Sequence, residues 1–368
     1  MIHLFHYTPI SPLTLYTAMF IVGIALEKAI PQFFIMVFIV SLWSILLYCL
    51  SIYKKEVYVI CSCFATTGGW YIHYYQSIWK QNATILAKQK INITGVIINS
   101  IPSLNIADTV QYTLYIIDSA EPILKNTLLA VYIKKNTYRH NPGEIIHIRN
   151  IKCTIPDDHF ATYLMKEGFV STSHTFPKNV YKTKLKPPFW AYLYKIRFRL
   201  LSWSKKLLSS STHALFCSLF LGYKWCEPIE TNRDTFKSFK YWGLSHYLAR
   251  SGLHLAILVA LWYIFLSYMP LHLVKKQWLL IVVSLFYFML TWSSISFLRA
   301  IISFILGRIF IFLNEPCTFM HIIGLTALSM LIHNPTVLFF LDFQLSFGIT
   351  FLLAWLNNIS QIRKTLAK

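Results

Sequence analysis

Residues 31–53, PQFFIMVFIVSLWSILLYCLSIY, form a run of 23 residues without one charged side chain. A helix needs about 20 consecutive apolar residues to cross the hydrocarbon core of a bilayer. This stretch satisfies that length, and it sets the expectation for the chain around it. Across all 368 residues, apolar types make up 56% and charged types only 13%, and the mean hydropathy is +0.51. A water-soluble domain carries about 25% charged residues, so the ordinary soluble class is excluded.

Working outward, further apolar blocks predict a set of eight spans: Pro9–Leu26, Pro31–Tyr53, Val57–Ile72, Leu253–Met269, Trp278–Trp292, Ser296–Phe312, Thr318–His333 and Phe340–Leu356. The segment His213–Tyr223 is apolar but too short to cross alone. The first block has no Lys or Arg in Met1–Thr8 and no small-x-small cleavage site, so it reads as a retained helix rather than a cleaved signal. The positive-inside rule orients the set. With the N-terminus cytoplasmic, Lys54, Lys55, Lys275, Lys276, Arg308, Arg363, Lys364 and Lys368 fall on the inner side, and residues 73–240 lie outside.

The character changes after Tyr75. Residues 91–100, 110–118, 127–133 and 144–151 are short, rich in β-branched types and partly alternating, with turn signals such as Asn141-Pro142-Gly143 between them. That pattern predicts strands of a small sandwich or barrel, an OB-type barrel being one candidate. From Lys80 to Thr212 there are 19 Lys and Arg against 7 Asp and Glu, a net of +12. A long external domain translocates regardless of its charge, so this excess points to a phosphate-rich polymer or anionic headgroups. Residues 178–206 mix Lys and Arg with Phe, Trp, Tyr and Leu. From Phe189 they read as a basic amphipathic helix lying on a membrane surface. The expected fold class is therefore a polytopic α-helical membrane protein with an inserted small β-barrel, OB-like and extracytoplasmic. Its parts are helices in 1–75, the barrel in 76–177, the basic helix and linker in 178–212, and a second helical domain in 213–368. The seven cysteines form no paired CxxC framework. A structural zinc site is not expected, and Cys217 and Cys226 are either two thiols or a disulfide.

Residues 214–258 read ALFCSLFLGYKWCEPIETNRDTFKSFKYWGLSHYLARSGLHLAIL. Within them Gly243-Leu244-Ser245-His246 is followed closely by Ser251-Gly252-Leu253-His254. Leu298-Arg299-Ala300 and Phe343-Gln344-Leu345-Ser346-Phe347 come later in the same order. This series resembles the ComEC competence family, the membrane channel of bacterial natural transformation, and Asn141-Pro142-Gly143-Glu144 with its flanking strands is similar to that family's extracytoplasmic OB-like domain. The resemblance implies uptake of single-stranded DNA across the cytoplasmic membrane. Position 250 is Arg where the family usually has an apolar residue. The HxHxDH run of the family's metallo-β-lactamase-like domain is absent from these residues, so the resemblance implies a shortened or split member without a nuclease, and no cofactor.

His246, Arg250 and His254 are spaced i, i+4, i+8 and share one helix face, with Ser251 beside it. Ionisable groups at membrane depth usually face a cavity or a partner. The stripe is thus expected to line or gate a hydrated path, with Arg250 meeting phosphate, or else to sit at headgroup level bonded to neighbouring helices. Gly243, Ser245, Gly252, Arg299, Gln344 and Ser346 complete the channel motif, with Gly252 serving close packing and Arg299 pairing with Asp342. A Ser251–His254 nucleophile lacks an orienting acid, so no enzyme is expected. Tyr112, Tyr132, Lys134, Lys135 and Arg139 are the candidate DNA contacts on the barrel, since basic grooves with stacking aromatics bind single strands. The bland alternative is an ordinary barrel core with a solvated basic face. Expected partners are single-stranded DNA and membrane lipids, with other competence proteins, a split C-terminal partner and self-association left open. Two further readings stay beside the channel: a non-transporting membrane protein of the same fold, and an anionic-lipid-binding scaffold.

Overall fold

The computed structural model describes residues 12–29, 55–102, 109–134, 140–183, 185–223, 241–242, 252–291, 294–315 and 317–366. They fall into two compact units: residues 1–77, 260–281 and 295–368, and residues 78–259 and 282–294. The predicted span Pro31–Tyr53 lies outside the described residues.

The first unit is helical. It holds α1 (Pro12–Ala29), the first part of α2 (Lys55–Lys88), part of α6 (Gly252–Ser267), part of α7 (Leu273–Leu290), α8 (Ile295–Phe312), α9 (Phe319–His333) and α10 (Leu341–Leu366). Phe20 and Ile24 of α1, Ile72 of α2, Ile323 and Leu331 of α9, and Phe343 and Phe347 of α10 form its core. Gly68 in Thr66-Thr67-Gly68-Gly69, the segment that softens the third apolar block, has a packing reason. A Cβ on Gly68 would lie 2.4 Å from the Phe20 carbonyl oxygen, and one on Gly23 would lie 1.9 Å from that of Ala65. Small residues let the α1 and α2 backbones touch. Buried Glu27 on α1 meets His73 on α2 at 2.8 Å, so the acid is partnered.

Among the described residues two helices are long and apolar enough to cross a membrane, Leu273–Leu290 and Ile295–Phe312; Gly252–Ser267 and Phe319–His333 are shorter apolar helices. The apolar blocks read from the sequence lie on helices wherever they are described. One difference is that α2 does not end near Ile72 but runs on to Lys88. Its last turns belong to the second unit: Leu86 joins the barrel core, and Trp79 Nε1 donates to the Phe169 carbonyl at 2.8 Å.

In the second unit six strands follow, β1 (Lys90–Pro102), β2 (Thr109–Ser119), β3 (Leu128–Lys134), β4 (Ile145–Thr154), β5 (Phe169–Thr175) and β6 (Val180–Lys182), with α3 (Asp158–Glu167) between β4 and β5. The order is β1-β2-β3-β5-β4-β6, and β1 also pairs with β4. Five strands therefore close on themselves, β3 and β5 being parallel, and β6 extends the sheet from β4. This closed five-stranded barrel fits an OB-like fold. Closure requires β1 to bend so that it serves both neighbours. Register shifts at Thr94/Gly95 and Ile97/Asn99 against β2, and at Ile91/Ile93 against β4, supply the bend. Alternation along the strands sends Ile91, Ile93, Ile97, Leu114, Ile116, Leu129, Val131, Ile146 and Ile148 inward.

β5 has no apolar alternation. Ser171, Thr172 and Ser173 are buried, and β4 satisfies the serines: Ser171 Oγ donates to the Thr154 carbonyl (2.8 Å) and Ser173 Oγ to that of Lys152 (2.6 Å). Beyond the barrel, the expected basic helix is α4 (Ala191–Leu207), and α5 (Ser210–Phe216) runs into a π-helical turn, Cys217–Leu221. Ala191 packs against Val96 and Ile145, and Trp190 meets Tyr115 edge-on with centroids 4.8 Å apart.

Candidate nucleic-acid interface

The barrel's outer surface is where a polymer could lie. Tyr112, a candidate stacking residue, is not on it. It alternates with Leu114 and Ile116 on the inward side of β2 and is 3% exposed, so its ring fills the core. The alternation itself carries this correction, because period two puts Tyr112 on the face of Leu114. Tyr132, on β3, points outward. Its ring stacks on His174 of β5, the parallel partner directly opposite, with centroids 4.9 Å apart and 18° between planes. Lys134 lies two residues further along the same strand and is exposed. Lys135 and Arg139 lie outside the described residues. Phe160 and Tyr163 of α3 stack on each other at 6.0 Å.

The turn that leads into β4, Asn141-Pro142-Gly143, is held by charge at Glu144. Glu144 accepts from Lys182 Nζ at 2.6 Å and from the Asn141 N–H at 3.2 Å, and His140 lies 3.9 Å away. Partial burial works to raise the Glu144 carboxyl, but the bonds from Lys182 and Asn141 and the charges of Lys182 and His140 hold it below the usual range. Burial also lowers His140, with Glu144 opposing. Cys153, inside the core, has its thiol pushed up to about 11 by burial, against a hydrogen bond from Ser171. It is an unreactive thiol at neutral pH.

Arg197 of α4 donates through Nε (2.8 Å) and Nη2 (2.5 Å) to the Met289 carbonyl. That carbonyl is in the last turn of α7, where helix carbonyls lack an internal donor. Tyr287 Oη donates to the Phe220 carbonyl at 2.6 Å. Along α4 the apolar side chains Tyr192, Ile196, Trp203 and Leu207 are exposed among Arg199, Lys205 and Lys206.

Of the channel-motif candidates, Gly243, Ser245, His246, Arg250 and Ser251 lie outside the described residues, and so does Cys226. Gly252 opens α6, and His254 is half-buried in its first turn. Cys217 is buried, its sulfur 3.4 Å from His213 Nε2. Arg299 does not pair with Asp342. Its Nη1 donates to the Ser346 carbonyl and the Thr350 hydroxyl, and its guanidinium lies 5.8 Å from the Phe347 ring centre. Ser346 and Thr350 lie roughly 6 and 12 Å further along α10 than Asp342, at about 1.5 Å per residue. The motif residues Arg299 and Ser346 are thus brought together, whereas Gln344 Nε2 donates to the Leu338 carbonyl (3.0 Å). The Ser346 hydroxyl is buried without a hydrogen-bond partner. Beside this contact, Ser303 of α8 bonds Thr326 of α9 at 3.0 Å.

The described residues thus combine a closed five-stranded, OB-like barrel with two helices long and apolar enough to cross a membrane. Residues 227–368 match the family model Competence protein. No curated protein and no solved structure matches the chain.

Proposed function

We propose that the protein is a multi-pass component of the cytoplasmic-membrane channel that takes up single-stranded DNA during natural transformation. The match of residues 227–368 to the competence family carries this reading. The family role is DNA uptake, and the same chain supplies a barrel whose surrounding segment has the excess of positive charge a polyanion requires. The helices α6 to α10 form the membrane part, with Arg299 bonded to α10 inside it, and the barrel faces outward. The chain conducts the strand and performs no chemistry of its own.

α4 supports the outward placement. It is bonded through Arg197 to the last turn of a candidate span, and in this reading that turn is where the span leaves the bilayer. Its exposed aromatic and basic side chains suit the headgroup region. The deciding experiment is transformation with a chromosomal marker in a strain lacking the protein. A fall to background, restored by the intact gene in trans, supports the channel. Unchanged frequency removes it.

A further inference from the structure

The strand registers bring together four residues that the sequence keeps far apart. Lys90 on β1 stands directly opposite Lys152 on β4. β4 pairs antiparallel with β5 through Cys153↔Ser173 and Thr154↔Thr172, so one step further Lys152 comes beside His174. His174 is opposite Tyr132 on β3 and stacked on it. Lys90, Lys152, His174 and Tyr132 thus form one row across β1, β4, β5 and β3. At about 4.8 Å between strands the row is roughly 14 Å long. Lys90, Lys152 and His174 are exposed and Tyr132 is half-buried. The row is flanked by Lys134 and by Phe176, the latter 59% exposed. On the same sheet Arg149 lies 5.0 Å from the Tyr181 ring centre.

The charges of this face are unspent. Asp158 is taken by Lys80, Glu167 by Lys166 and Glu144 by Lys182. Lys90, Lys152 and Arg149 have no carboxylate partner among the described residues. Like charges directly opposite on paired strands are unfavourable, and an anion between Lys90 and Lys152 turns that repulsion into attraction. A stacked aromatic pair beside two uncompensated cations is the combination by which small barrels hold single strands: cations track phosphate and rings stack bases. OB-type barrels commonly use the face of strands 2 and 3. Here Trp190 lies against Tyr115 on the outer side of β2, whereas Lys90, Lys152 and His174 are exposed.

We infer that the outer row Lys90–Lys152–His174–Tyr132 is the barrel's contact for single-stranded DNA, with the two lysines on phosphate and the stacked pair on a base. The inference rests on the uptake reading and names its site.

The test is fluorescence anisotropy of a labelled oligothymidylate with the full chain in nanodiscs of zwitterionic lipid, across a salt series. The intact protein binds with a steep salt dependence. Lys90→Gln with Lys152→Gln flattens the log–log slope by about 1.4, at roughly 0.7 for each single-strand phosphate that no longer meets a lysine. Lys90→Arg with Lys152→Arg keeps it. Tyr132→Ala weakens binding about 5- to 150-fold with the slope nearly unchanged, and Lys125→Gln, on the turn between β2 and β3, changes neither. A hairpin duplex binds more weakly than the single strand. A slope unaltered in the double Gln variant, equal binding of the duplex, or no salt-dependent binding by the intact chain overturns the inference. Loss of transformation in the deletion strain together with an unaltered slope removes this site and leaves the channel. Transformation unaffected by the deletion removes the channel, and the anisotropy series still decides the row.

Discussion

Replacing Gly143 by alanine tests how α4 is docked on the barrel. Gly143 has a φ of +83°, and a Cβ there would sit 2.4 Å from Lys195 Cγ and 2.9 Å from the Ala191 carbonyl oxygen. The lysine stem can swing away, but the Ala191 carbonyl belongs to the first turn of α4 and moves only with the helix. The turn cannot retreat either, because Gly143 N–H donates to the Ile97 carbonyl at 2.7 Å and Ile97 N–H to that of Glu144 at 3.0 Å. Left-handed backbone in a residue with a Cβ costs roughly 1–2 kcal/mol, and forced overpacking adds about 1–3 kcal/mol. Gly168 is the internal control. Its φ is +77°, yet a Cβ there would meet only Leu128 Cδ1 at 3.9 Å, so Gly168→Ala costs the backbone part alone. Denaturant unfolding of the two variants in detergent should therefore put Gly143→Ala below Gly168→Ala by about 1–3 kcal/mol. Trypsin should also cut Gly143→Ala sooner within Lys195–Lys206, as α4 lifts. Equal losses, with α4 equally protected, would refute the docking.

Other expectations follow from single contacts. Glu144 is held below the usual carboxylate range in the folded state. Its contribution is therefore present above the unfolded value of about 4.3 and disappears as pH falls through the lower folded value; Glu144→Gln should flatten that acid limb in a stability-versus-pH titration. Ser173→Ala removes the donor to the Lys152 carbonyl and should cost about 1 kcal/mol in the same unfolding assay, with the barrel otherwise intact. Arg299→Leu leaves the Ser346 carbonyl and Thr350 hydroxyl without their shared donor. Marker transformation should fall at normal protein level in the membrane, and Arg299→Lys should restore it only partly, since an ammonium can donate to both oxygens but loses the planar contact with the Phe347 ring.

Much of the barrel is legible in the chain because β1 to β4 are built from alternating β-branched residues. β5 is not legible: Ser171, Thr172 and Ser173 are core residues whose hydroxyls are bonded, and a buried strand of hydroxyls looks like a loop in sequence. The helices are readable from their apolar runs, but the continuation of α2 to Lys88 depends on Trp79 and Leu86 finding the barrel, a tertiary contact with no local signal. Residue type alone puts Tyr112 among the stacking candidates, although its alternation with Leu114 points it inward. Charge alone pairs Arg299 with Asp342, whereas two uncharged oxygens on α10 accept its hydrogen bonds. The row Lys90, Lys152, His174 and Tyr132 exists only through register, and no window of sequence contains it.

The role proposed for this protein is inward passage of DNA. The most direct measurement follows end-labelled donor DNA in competent cells with and without the protein, scoring label that a nuclease added outside can and cannot reach. Cells lacking the protein should still hold nuclease-sensitive label at the surface and accumulate no nuclease-protected single strands. Protected single strands at the level of the parent strain would contradict it.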